Sequence, residues 1–592
     1  MKQFLISLFT LVTGMSITPQ QASAFKPMIL ELRIIETSDV HGCFFPYNFT
    51  ERKPMAGTMA RVSTFLNEQR KLYGDNVIVI DNGDILQGQP VCYYTNFIKT
   101  DRPNIAAEVI NYLKYDAQTF GNHDVETGHA VYDKWISELN CPVLGANIIN
   151  TSTGESYTPP YTIIERRGVK IAILGMLTPA IPNWLHENMW KGMRFEEMVA
   201  SARHWVKVLK TKEKADVIIG LFHSGWDGGI VTPEYEEDAT KAIAEQVGGF
   251  DAIFFGHDHT ERLTTINGIP CLDPSCNAQK VAVATITLIS NPPGFTPDGK
   301  PVPNAPKGRW HIGERRGEIV DVSQLPLDED YMRHFQPTID SVRAYVERQI
   351  GTCPMVLRTR DSFFGPAAFT DYIHDVLLEH TGADISFNAP LSFDSKIQEG
   401  PVYMSDMFKL CRFENAIYVL RMTGEEIRKH LEMSYDLWVN TMQSPDDHIM
   451  LITERTQNDM QRYGFKNLTF NFDSATGIDY EVDVTKPDGQ KVRILQLSDG
   501  RPFDEKAWYR VVMSSYRGNG GGELLTRGAG IAMKDIPNRI VYMSDRDLRY
   551  YLTQKIEKEG TINAKAHTNW RFVPEAWTKP AIERDRKHIF KE

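Results

Sequence analysis

One pattern recurs five times between Leu32 and His259: an apolar strand is followed by a short loop that carries Asp, Asn or His, and then by a helix. The run from Val77 to Asp81 is apolar almost throughout, which is typical of a strand buried on both faces of a sheet. Alternating strands and helices predict a layered α/β domain with parallel strands. In such sheets the loops beyond the carboxyl ends of the strands gather into one crevice. We therefore expect the five polar loops to meet.

The residues in these loops suit a metal ion. Asp39 and His41 stand two apart, so in an extended loop their side chains point the same way. Gly121 lets the backbone approach a ligand closely beside the next residues, Asn, His and Asp. One His after a strand is usually a hydrogen-bonded core residue, but five such strand ends in order favour a metal centre. The candidate ligands, all with nitrogen or oxygen donors, are Asp39, His41, Asp84, Asn122, His223, His257 and His259.

The number of candidates indicates how many ions are bound. One four-coordinate ion needs about four protein ligands. The larger set fits two ions if one carboxylate bridges them, and Asp84 is the expected bridge. Two ions about 3.5–4 Å apart clamp the attacking and leaving oxygens of a phosphoryl displacement and activate a water. Mixed His, Asp and Asn ligation suits Zn, Mn, Fe or Co, among which the sequence does not choose.

The chain's length and charge exclude some classes of protein. It has 592 residues, too many for a single core. Its net charge of −11 disfavours binding of long DNA or RNA, although a local pocket could accept a small phosphate. The charge thus predicts no polymeric nucleic acid as a partner.

The N-terminus has the pattern of a signal peptide. Lys2 precedes an apolar stretch, and Ala22 to Ala24 fits a small-residue cleavage site. We predict a signal peptide over residues 1–24 and an exported chain, periplasmic or secreted, that starts near Phe25. No later stretch reaches the ~18 apolar residues of a membrane span, so no stable membrane anchor is expected. Export permits disulfides, and a bond between Cys271 and Cys276 is left open.

The series of motifs resembles the calcineurin-like metallophosphoesterase family, whose D-x-H, G-D, G-N-H-[DE], H and G-H-x-H motifs occur in order over residues 32–260. The resemblance implies the following ligands, bridged by Asp84: for one ion Asp39, His41 and His259, and for the other Asn122, His223 and His257. It implies that His123 is no ligand but stabilises the transition state or protonates the leaving oxygen. Glu126 stands where the nucleotidase branch usually has the Asp that orients this His, and Asp124 is the alternative partner.

The second half resembles the C-terminal domain of the 5′-nucleotidase superfamily. The resemblance implies that two aromatic rings hold the base, Phe413 in an Arg-Phe-Glu-Asn segment and Tyr516 before a Gly-rich turn. Asn388 and Asn415 are the other implied substrate contacts. Stacking of a base on such rings contributes roughly 1–3 kcal/mol. The alternative is that both rings belong to the core.

One departure from the family pattern indicates the branch. Typical 5′-nucleotidases hold the substrate with an Arg in Asn-x-Gly-Gly-x-Arg, whereas here the segment from Asn388 to Phe393 reads Asn-Ala-Pro-Leu-Ser-Phe. The Ala-Pro form is similar to that of the periplasmic 2′,3′-cyclic-nucleotide 2′-phosphodiesterase/3′-nucleotidases, near which the sequence is placed.

The expected fold class is α/β (α+β). It comprises a four-layer metallophosphoesterase β-sandwich flanked by helices over residues 25–325 and a smaller α/β nucleotide-binding domain over 352–592. Residues 326–351 are predicted to form a connecting helix, or else a helix packed on the first domain. The Pro- and Gly-rich stretch 291–317 is predicted to be a surface loop or a β-excursion.

Two hypotheses of function follow. The first is an exported dinuclear-metal phosphoesterase, monomeric or weakly oligomeric, that hydrolyses 2′,3′-cyclic nucleotides and/or 3′-nucleotides by metal-hydroxide attack. A 5′-nucleotidase or nucleotide-sugar hydrolase is its alternative within the superfamily. The second hypothesis is an exported nucleotide-binding protein without catalysis. A serine hydrolase is set aside, because His223-Ser-Gly lacks the Gly-x-Ser-x-Gly elbow.

Overall fold

The structure, a computed structural model, describes residues 29–290, 310–453 and 463–591. The predicted signal peptide and residues 291–309 of the predicted loop lie outside this part. Residues 310–317 of that loop belong to a long strand, Trp310–Asp321. No helix within the described ranges is long and apolar enough to cross a membrane.

The N-terminal half is built on two six-stranded sheets. In spatial order, the first contains Trp310–Asp321, Lys280–Ser290, Ile29–Thr37, Val77–Asp81, Ala117–Thr119 and Val143–Leu144. The second contains Arg262–Ile266, Ile269–Asp273, Ala252–Phe255, Val217–His223, Val169–Leu177 and Tyr161–Arg166. Four consecutive strands of each sheet are parallel, so their carboxyl ends lie at one edge.

The two sheets pack face to face, with helices on both outer sides. Alternate residues of one strand point to opposite faces. Ile219 and Leu221 thus lie in the core between the sheets, whereas Ile218 and Phe222 of the same strand contact the outer helices. The result is the expected four-layer sandwich. Its helices are Met59–Tyr73, Pro90–Tyr93, Ile105–Leu113, Asn122–Glu126, His129–Glu138, Met198–Val208 and Thr240–Gln246.

Three short two-stranded ribbons also belong to this half: Tyr47–Asn48 with Lys53–Pro54, Ile148–Asn150 with Met193–Phe195, and Gly228–Val231 with Glu236–Asp238.

Short turns of 3₁₀- or π-helix occur in both halves of the described chain, at Gly74–Asn76, Tyr94–Ile98, Ile181–Asn183, Glu187–Met189, Leu209–Glu213, Thr359–Phe363, Thr469–Asn471, Gly521–Glu523, Leu524–Gly528 and Met533–Asp535.

The C-terminal half has its own mixed sheet. In spatial order its strands are Ser474–Thr476, Ile385–Asn388, Trp508–Ser514, Ala416–Thr423 and Ile540–Asp547. A second sheet orders Val492–Leu497, Ile478–Asp483 and Trp570–Val573, and two ribbons pair Gln349–Cys353 with Gly400–Tyr403 and Leu357–Arg358 with Lys396–Ile397. The helices are Ala368–Thr381, Met404–Leu410, Gly424–Trp438, Ser515–Gly518, Ile536–Arg539, Leu548–Glu559 and Glu575–Phe590.

The segment between the halves forms a helix, Glu329–Val346. Asp328 caps it by accepting from the Asp330 and Tyr331 backbone N–H groups. Tyr331 and Phe335 are buried in the outer core of the N-terminal half, and the Tyr331 hydroxyl donates to the Phe44 carbonyl at 3.1 Å. The helix therefore connects the halves while packing along the first of them.

All seven cysteines are free and buried. Cys271 and Cys276 are thus not bonded to each other in this structure, although they are close in sequence. Burial raises the pKa of both thiols, to about 12 in each case. Neither group has the character of a reactive thiolate.

Phe335→Ala should destabilise the protein by about 3–5 kcal/mol, because the ring is 2% exposed and contacts Tyr331, Phe45 and Tyr112. Chemical denaturation followed by tryptophan fluorescence measures the change. The matched control is Gln336→Ala on the exposed face of the same helix, expected within about 0.5 kcal/mol of wild type. Equal stability of the two variants would contradict the packing described here.

Candidate active site

The polar loops of the two sheets meet at one edge of the sandwich. The Asp39 backbone N–H donates to the Gly83 carbonyl at 3.1 Å, which joins two loops of the first sheet. Asn82 Nδ2 donates to the Phe222 carbonyl at 2.9 Å, which joins the first sheet to the second. Parallel strands therefore bring together side chains that are far apart in the chain, as expected from the strand pattern.

The backbone at this edge is unusual. Five of the seven predicted ligands have a positive φ: Asp39 (49°), His41 (46°), Asp84 (55°), His257 (88°) and His259 (55°). Side-chain-bearing residues rarely occupy this region, and such residues cluster at functional sites. Gly121 has a separate role, since a Cβ there would lie 2.0 Å from Asp84 Oδ1. The loops are thus shaped for the positions of particular side chains.

The first group of ligand atoms is compact. The ligand atoms of Asp39, His41, Asp84 and His259 all lie within 4.8 Å of one another. His41 Nδ1 lies 3.2 Å from the Gln87 carbonyl, to which it donates, so Nε2 faces the group. His41 Nε2 and His259 Nε2 are 3.0 Å apart, and Asp39 Oδ1 is buried without a hydrogen-bond donor although His259 Nε2 lies 3.3 Å away. Converging nitrogen lone pairs and an orphaned carboxylate oxygen fit a cation.

A second set lies on the other side of Asp84. His223 Nε2 is 3.5 Å from Asp84 Oδ2 and 3.1 Å from Asn122 Oδ1. His223 Nδ1 donates to the Asn82 carbonyl at 2.6 Å, which fixes Nε2 as the nitrogen available for a metal. Asp84 Oδ2 lies 3.9 Å from His41 Nε2 as well, so it stands between the two sets. Burial raises the pKa of the Asp84 carboxyl, but the neighbouring imidazoles outweigh burial and hold it well below its usual value.

Glu237, which the sequence did not indicate, lies against the predicted ligand His257. His257 Nε2 is 3.0 Å from Glu237 Oε1, on the hairpin strand Glu236–Asp238, and the His257 ring centroid is 5.2 Å from that of His223. Nδ1 is thus the nitrogen that could hold a metal. Burial lowers the pKa of His257, but Glu237 and Asp238 together raise it to about 10. Carboxylates that orient a ligating His in this way tune metal affinity. Only the carboxylate-rich stretch after His223 could have signalled Glu237.

His123 lies beside the ligands with its own carboxylate partner. Its backbone N–H donates to Asp84 Oδ1 at 2.8 Å, and its Nδ1 lies 2.6 Å from Glu126 Oε2. Burial lowers the pKa of His123, but the Asp84 and Glu126 carboxylates raise it to about 9. The imidazole is thereby oriented, and Glu126 favours its protonated form.

Asp124, the alternative partner of His123, is used elsewhere. Its fully buried carboxylate accepts from the backbone N–H groups of Asp84, Ile85, Leu86 and Gly121, at 2.8–2.9 Å. Asp124 therefore holds two ligand loops together, and the carboxylate that contacts His123 is Glu126.

The aromatic loops of the C-terminal half face this edge. Ile417 pairs with Ser514 in neighbouring antiparallel strands, so the segment before Ile417 and the segment after Ser514 lie side by side. Phe413 is half-buried, and its ring is parallel to that of His123 (6°) with the centroids 6.1 Å apart. Tyr516 contacts Phe470 edge-on at 6.0 Å. Phe413 thus lies at the site as a half-buried ring in contact with His123 of the other half. It is not a core aromatic.

The side chains of Asn388 and Asn415 differ in whether they are already hydrogen-bonded. Asn415 Oδ1 accepts from the Tyr516 backbone N–H and the Ser515 hydroxyl, both at 3.2 Å, so this side chain links the two aromatic loops. Asn388 ends the strand Ile385–Asn388, and its Nδ2 is buried without a hydrogen-bond acceptor among the described residues. The Asn388 amide nitrogen is therefore unpartnered among the described residues, whereas the Asn415 side-chain oxygen bonds the loops.

Two buried arginines hold these loops, and sequence reasoning missed both. Arg549 is fully buried; it donates to the Cys411 carbonyl at 2.9 Å and pairs with Glu414 at 3.2 Å. Its guanidinium also lies over the rings of Tyr93, from the N-terminal half, and Phe408. Arg517 pairs with Asp473 at 2.8 Å and donates to the Phe470 carbonyl at 2.9 Å. An isolated Arg in the sequence gives no sign of such a role.

Family models match both halves of the chain. Residues 32–261 match the calcineurin-like phosphoesterase model, and residues 349–527 match the 5′-nucleotidase C-terminal domain. The first range contains all seven predicted ligands and the second contains both predicted base-stacking rings.

Known proteins are similar over most of the chain. The Bacillus subtilis trifunctional nucleotide phosphoesterase protein YfkN is 26% identical over 94% of this chain, which corresponds to 40% of that longer protein. The 2′,3′-cyclic-nucleotide 2′-phosphodiesterase/3′-nucleotidase of Haemophilus influenzae is 25% identical over 92% of this chain and 88% of its own length.

Solved structures share the fold. A Staphylococcus aureus structure provisionally named a 5′-nucleotidase has a TM-score of 0.74 at 21% identity, covering 92% of this chain and 99% of that one. The 5′-nucleotidase precursor of Thermus thermophilus has a TM-score of 0.61 at 18% identity, covering 92% and 100%.

Glu237→Ala should weaken binding of Zn²⁺ or Mn²⁺ by about 10–100-fold, because His257 loses the carboxylate that orients it. Competition with a chromogenic chelator measures the affinity, and circular dichroism checks the fold. Glu236→Ala is the matched control, since that neighbouring carboxylate only accepts from Gly228 N–H at 3.0 Å. If both variants bind metal as wild type does, Glu237 does not support the centre.

Proposed function

The chain belongs to the superfamily that joins a calcineurin-like phosphoesterase domain to a 5′-nucleotidase C-terminal domain, and on that premise we propose that it is an exported phosphoesterase that hydrolyses nucleotides at a dinuclear metal centre. The observation that carries the proposal is the position of Phe413, parallel to His123 at the edge of the ligand cluster. A base held by this half would have its phosphate at the metal ligands of the other.

The metal centre is proposed to hold two divalent ions. The first group is Asp39, His41 and His259, and the second is Asn122, His223 and His257, with Asp84 shared between them. When bound, the ions supply Lewis acidity toward the phosphate and lower the pKa of a coordinated water. The orphaned oxygen of Asp39 and the fixed Nε2 atoms of His41 and His223 support this assignment.

His123 is proposed to act on the leaving oxygen. Glu126 fixes its Nδ1, so its Nε2 is the nitrogen that can donate a proton to the ester oxygen as the P–O bond breaks. The Glu126 carboxylate, 2.6 Å from Nδ1, favours the protonated ring, as this role requires. Phe413 and Tyr516 are proposed to stack the base, which contributes roughly 1–3 kcal/mol per base and tolerates different bases. Asn388 is a further proposed contact.

The proposed substrates are 2′,3′-cyclic nucleotides and 3′-nucleotides. Two observations support this choice: the absence of the Arg of the typical 5′-nucleotidase motif after Asn388, and the similarity to the Haemophilus influenzae protein over 88% of its length. Hydrolysis of 5′-nucleotides or nucleotide sugars is one competing hypothesis, and nucleotide binding without turnover is the other.

The purified protein should hydrolyse 2′,3′-cyclic AMP and 3′-AMP faster than 5′-AMP, because the implied 5′-nucleotidase Arg is missing. Chromatography of the products, with Mn²⁺ or Zn²⁺ and with excess chelator, measures this preference. Activity should disappear with the chelator and return with metal. A preference for 5′-AMP would favour a 5′-nucleotidase, and activity that survives complete metal removal would refute the mechanism.

His123→Ala should lower kcat for the preferred ester by about 10²–10⁴-fold while metal content stays unchanged, because the residue acts on a proton and not on the ions. Elemental analysis of the purified variant gives the metal content. The control is His129→Ala, a histidine that contacts Asp133 and lies outside the ligand groups. Nucleotide binding by a wild-type protein that turns over no ester would establish the non-enzymatic hypothesis instead.

A further inference from the structure

An exposed arginine, Arg412, belongs to the aromatic loop at the predicted substrate cleft. Arg412 directly precedes Phe413, and its Cζ is 5.7 Å from the centroid of the Phe413 ring. The same ring is parallel to His123 at 6.1 Å. Arg412 is therefore next to the group that covers the site.

The charge of Arg412 also acts on a thiol beside the ligand residues. Burial raises the pKa of Cys276, and Arg412 is among the charges that act on this thiol in the other direction. The loop of Cys276 is bound to the ligand residues: the Ser275 hydroxyl donates to the His259 carbonyl at 2.8 Å, and the Asn277 N–H donates to the Asp39 carbonyl at 2.8 Å. The Arg412 charge thus acts on the loop that is bonded to Asp39 and His259, while its neighbouring ring, Phe413, lies against His123.

The three arginines around the aromatic loops differ in their partners. Arg517 and Arg549 are buried, and each is paired with carboxylates. Within the part of the chain that the structure describes, no carboxylate lies within ion-pair distance of the Arg412 guanidinium. The Arg412 backbone is held in place, because the Arg549 guanidinium donates to the Arg412 carbonyl at 3.3 Å. Arg412 combines an anchored backbone with an available charge.

We propose that Arg412 binds a non-bridging oxygen of the substrate phosphate, from the C-terminal half, opposite the metal ligands. The proposal deepens the proposed function and rests on its site. A guanidinium presents several N–H donors in a plane that matches phosphate oxygens, and charge-assisted bonds of this kind are among the strong ones. A nucleotide whose phosphate is held from both halves would have its base against Phe413. Arg412 then selects for the phosphate group and not for the base.

The test compares Arg412→Met with Arg421→Met in the metal-loaded full chain. Arg421 is a matched control, because it is an exposed arginine of the same half whose guanidinium lies 5.0 Å from an aromatic ring, that of Trp508. Calorimetry measures the dissociation constants of inorganic phosphate and of adenosine. Steady-state kinetics measure KM and kcat for the preferred ester. Arg412→Lys is the conservative variant.

Arg412→Met should weaken phosphate binding and raise KM by about ten- to a hundredfold, the loss expected for a hydrogen bond to a charged group. Adenosine binding should change by less than about twofold, and Arg412→Lys should recover part of the phosphate affinity. Arg421→Met should match wild type in every readout.

Two results would overturn the role of Arg412. One is phosphate binding that is unchanged in Arg412→Met or absent in wild type. The other is an equal loss for phosphate and adenosine, which would mean that Arg412 acts through the Phe413 ring. Phosphate binding requires no turnover, so a wild type that is inactive on every ester refutes the proposed function while the calorimetry still decides about Arg412.

Discussion

The left-handed backbone at the strand ends is the constraint on which the site depends. Such conformations cost on the order of 1–3 kcal/mol each and persist only where the surroundings fix them. Here the Asp124 carboxylate supplies much of that fixation, since it accepts four backbone N–H groups from the loops of Asp84 and Gly121. Without these bonds the Asp84 carboxylate would not lie between His41 and His223. A residue that is not itself a candidate ligand thus fixes the loop that carries the Asp84 carboxylate.

The same principle operates in the C-terminal half. Phe413 and Tyr516 are borne by loops, and loops are positioned by what they bond to. Asn415 joins the two loops, Arg549 ties the first to Glu414 and to Tyr93 of the other half, and Arg517 ties the second to Asp473. Burying an arginine is unfavourable unless carboxylates and carbonyls satisfy it, as they do here. The aromatic rings therefore have defined positions before any substrate arrives.

Sequence reasoning predicted strands that alternate with helices because burial on both faces leaves a clear apolar pattern, as in Val77–Asp81. The four-layer arrangement was implied by the resemblance to the metallophosphoesterase family. Sequence reasoning also brought the seven ligand candidates to one edge, since parallel strands end together. The choice between Glu126 and Asp124 depended on a helix one turn long: residues three apart share a helix face, so Glu126 reaches His123 whereas Asp124 points into the loops. Sequence reasoning did not identify Glu237, Arg517 and Arg549, because their contacts form between segments that meet only in the folded chain. Asn415 was predicted as a substrate contact, but its side-chain oxygen bonds the Tyr516 loop.

The separation of ligand cluster and aromatic loops has a consequence for how such a protein diversifies. Every candidate ligand precedes residue 260, whereas the two aromatic rings, Phe413 and Tyr516, follow residue 400. Substitutions around Phe413 and Tyr516 can therefore change what the proposed cleft accepts without disturbing the strand-end loops. Stability constrains substitution of Phe413 only weakly, since this ring is half-buried and lies outside the hydrophobic core of its own half. The specificity of one half can thus change while the geometry of the other is retained.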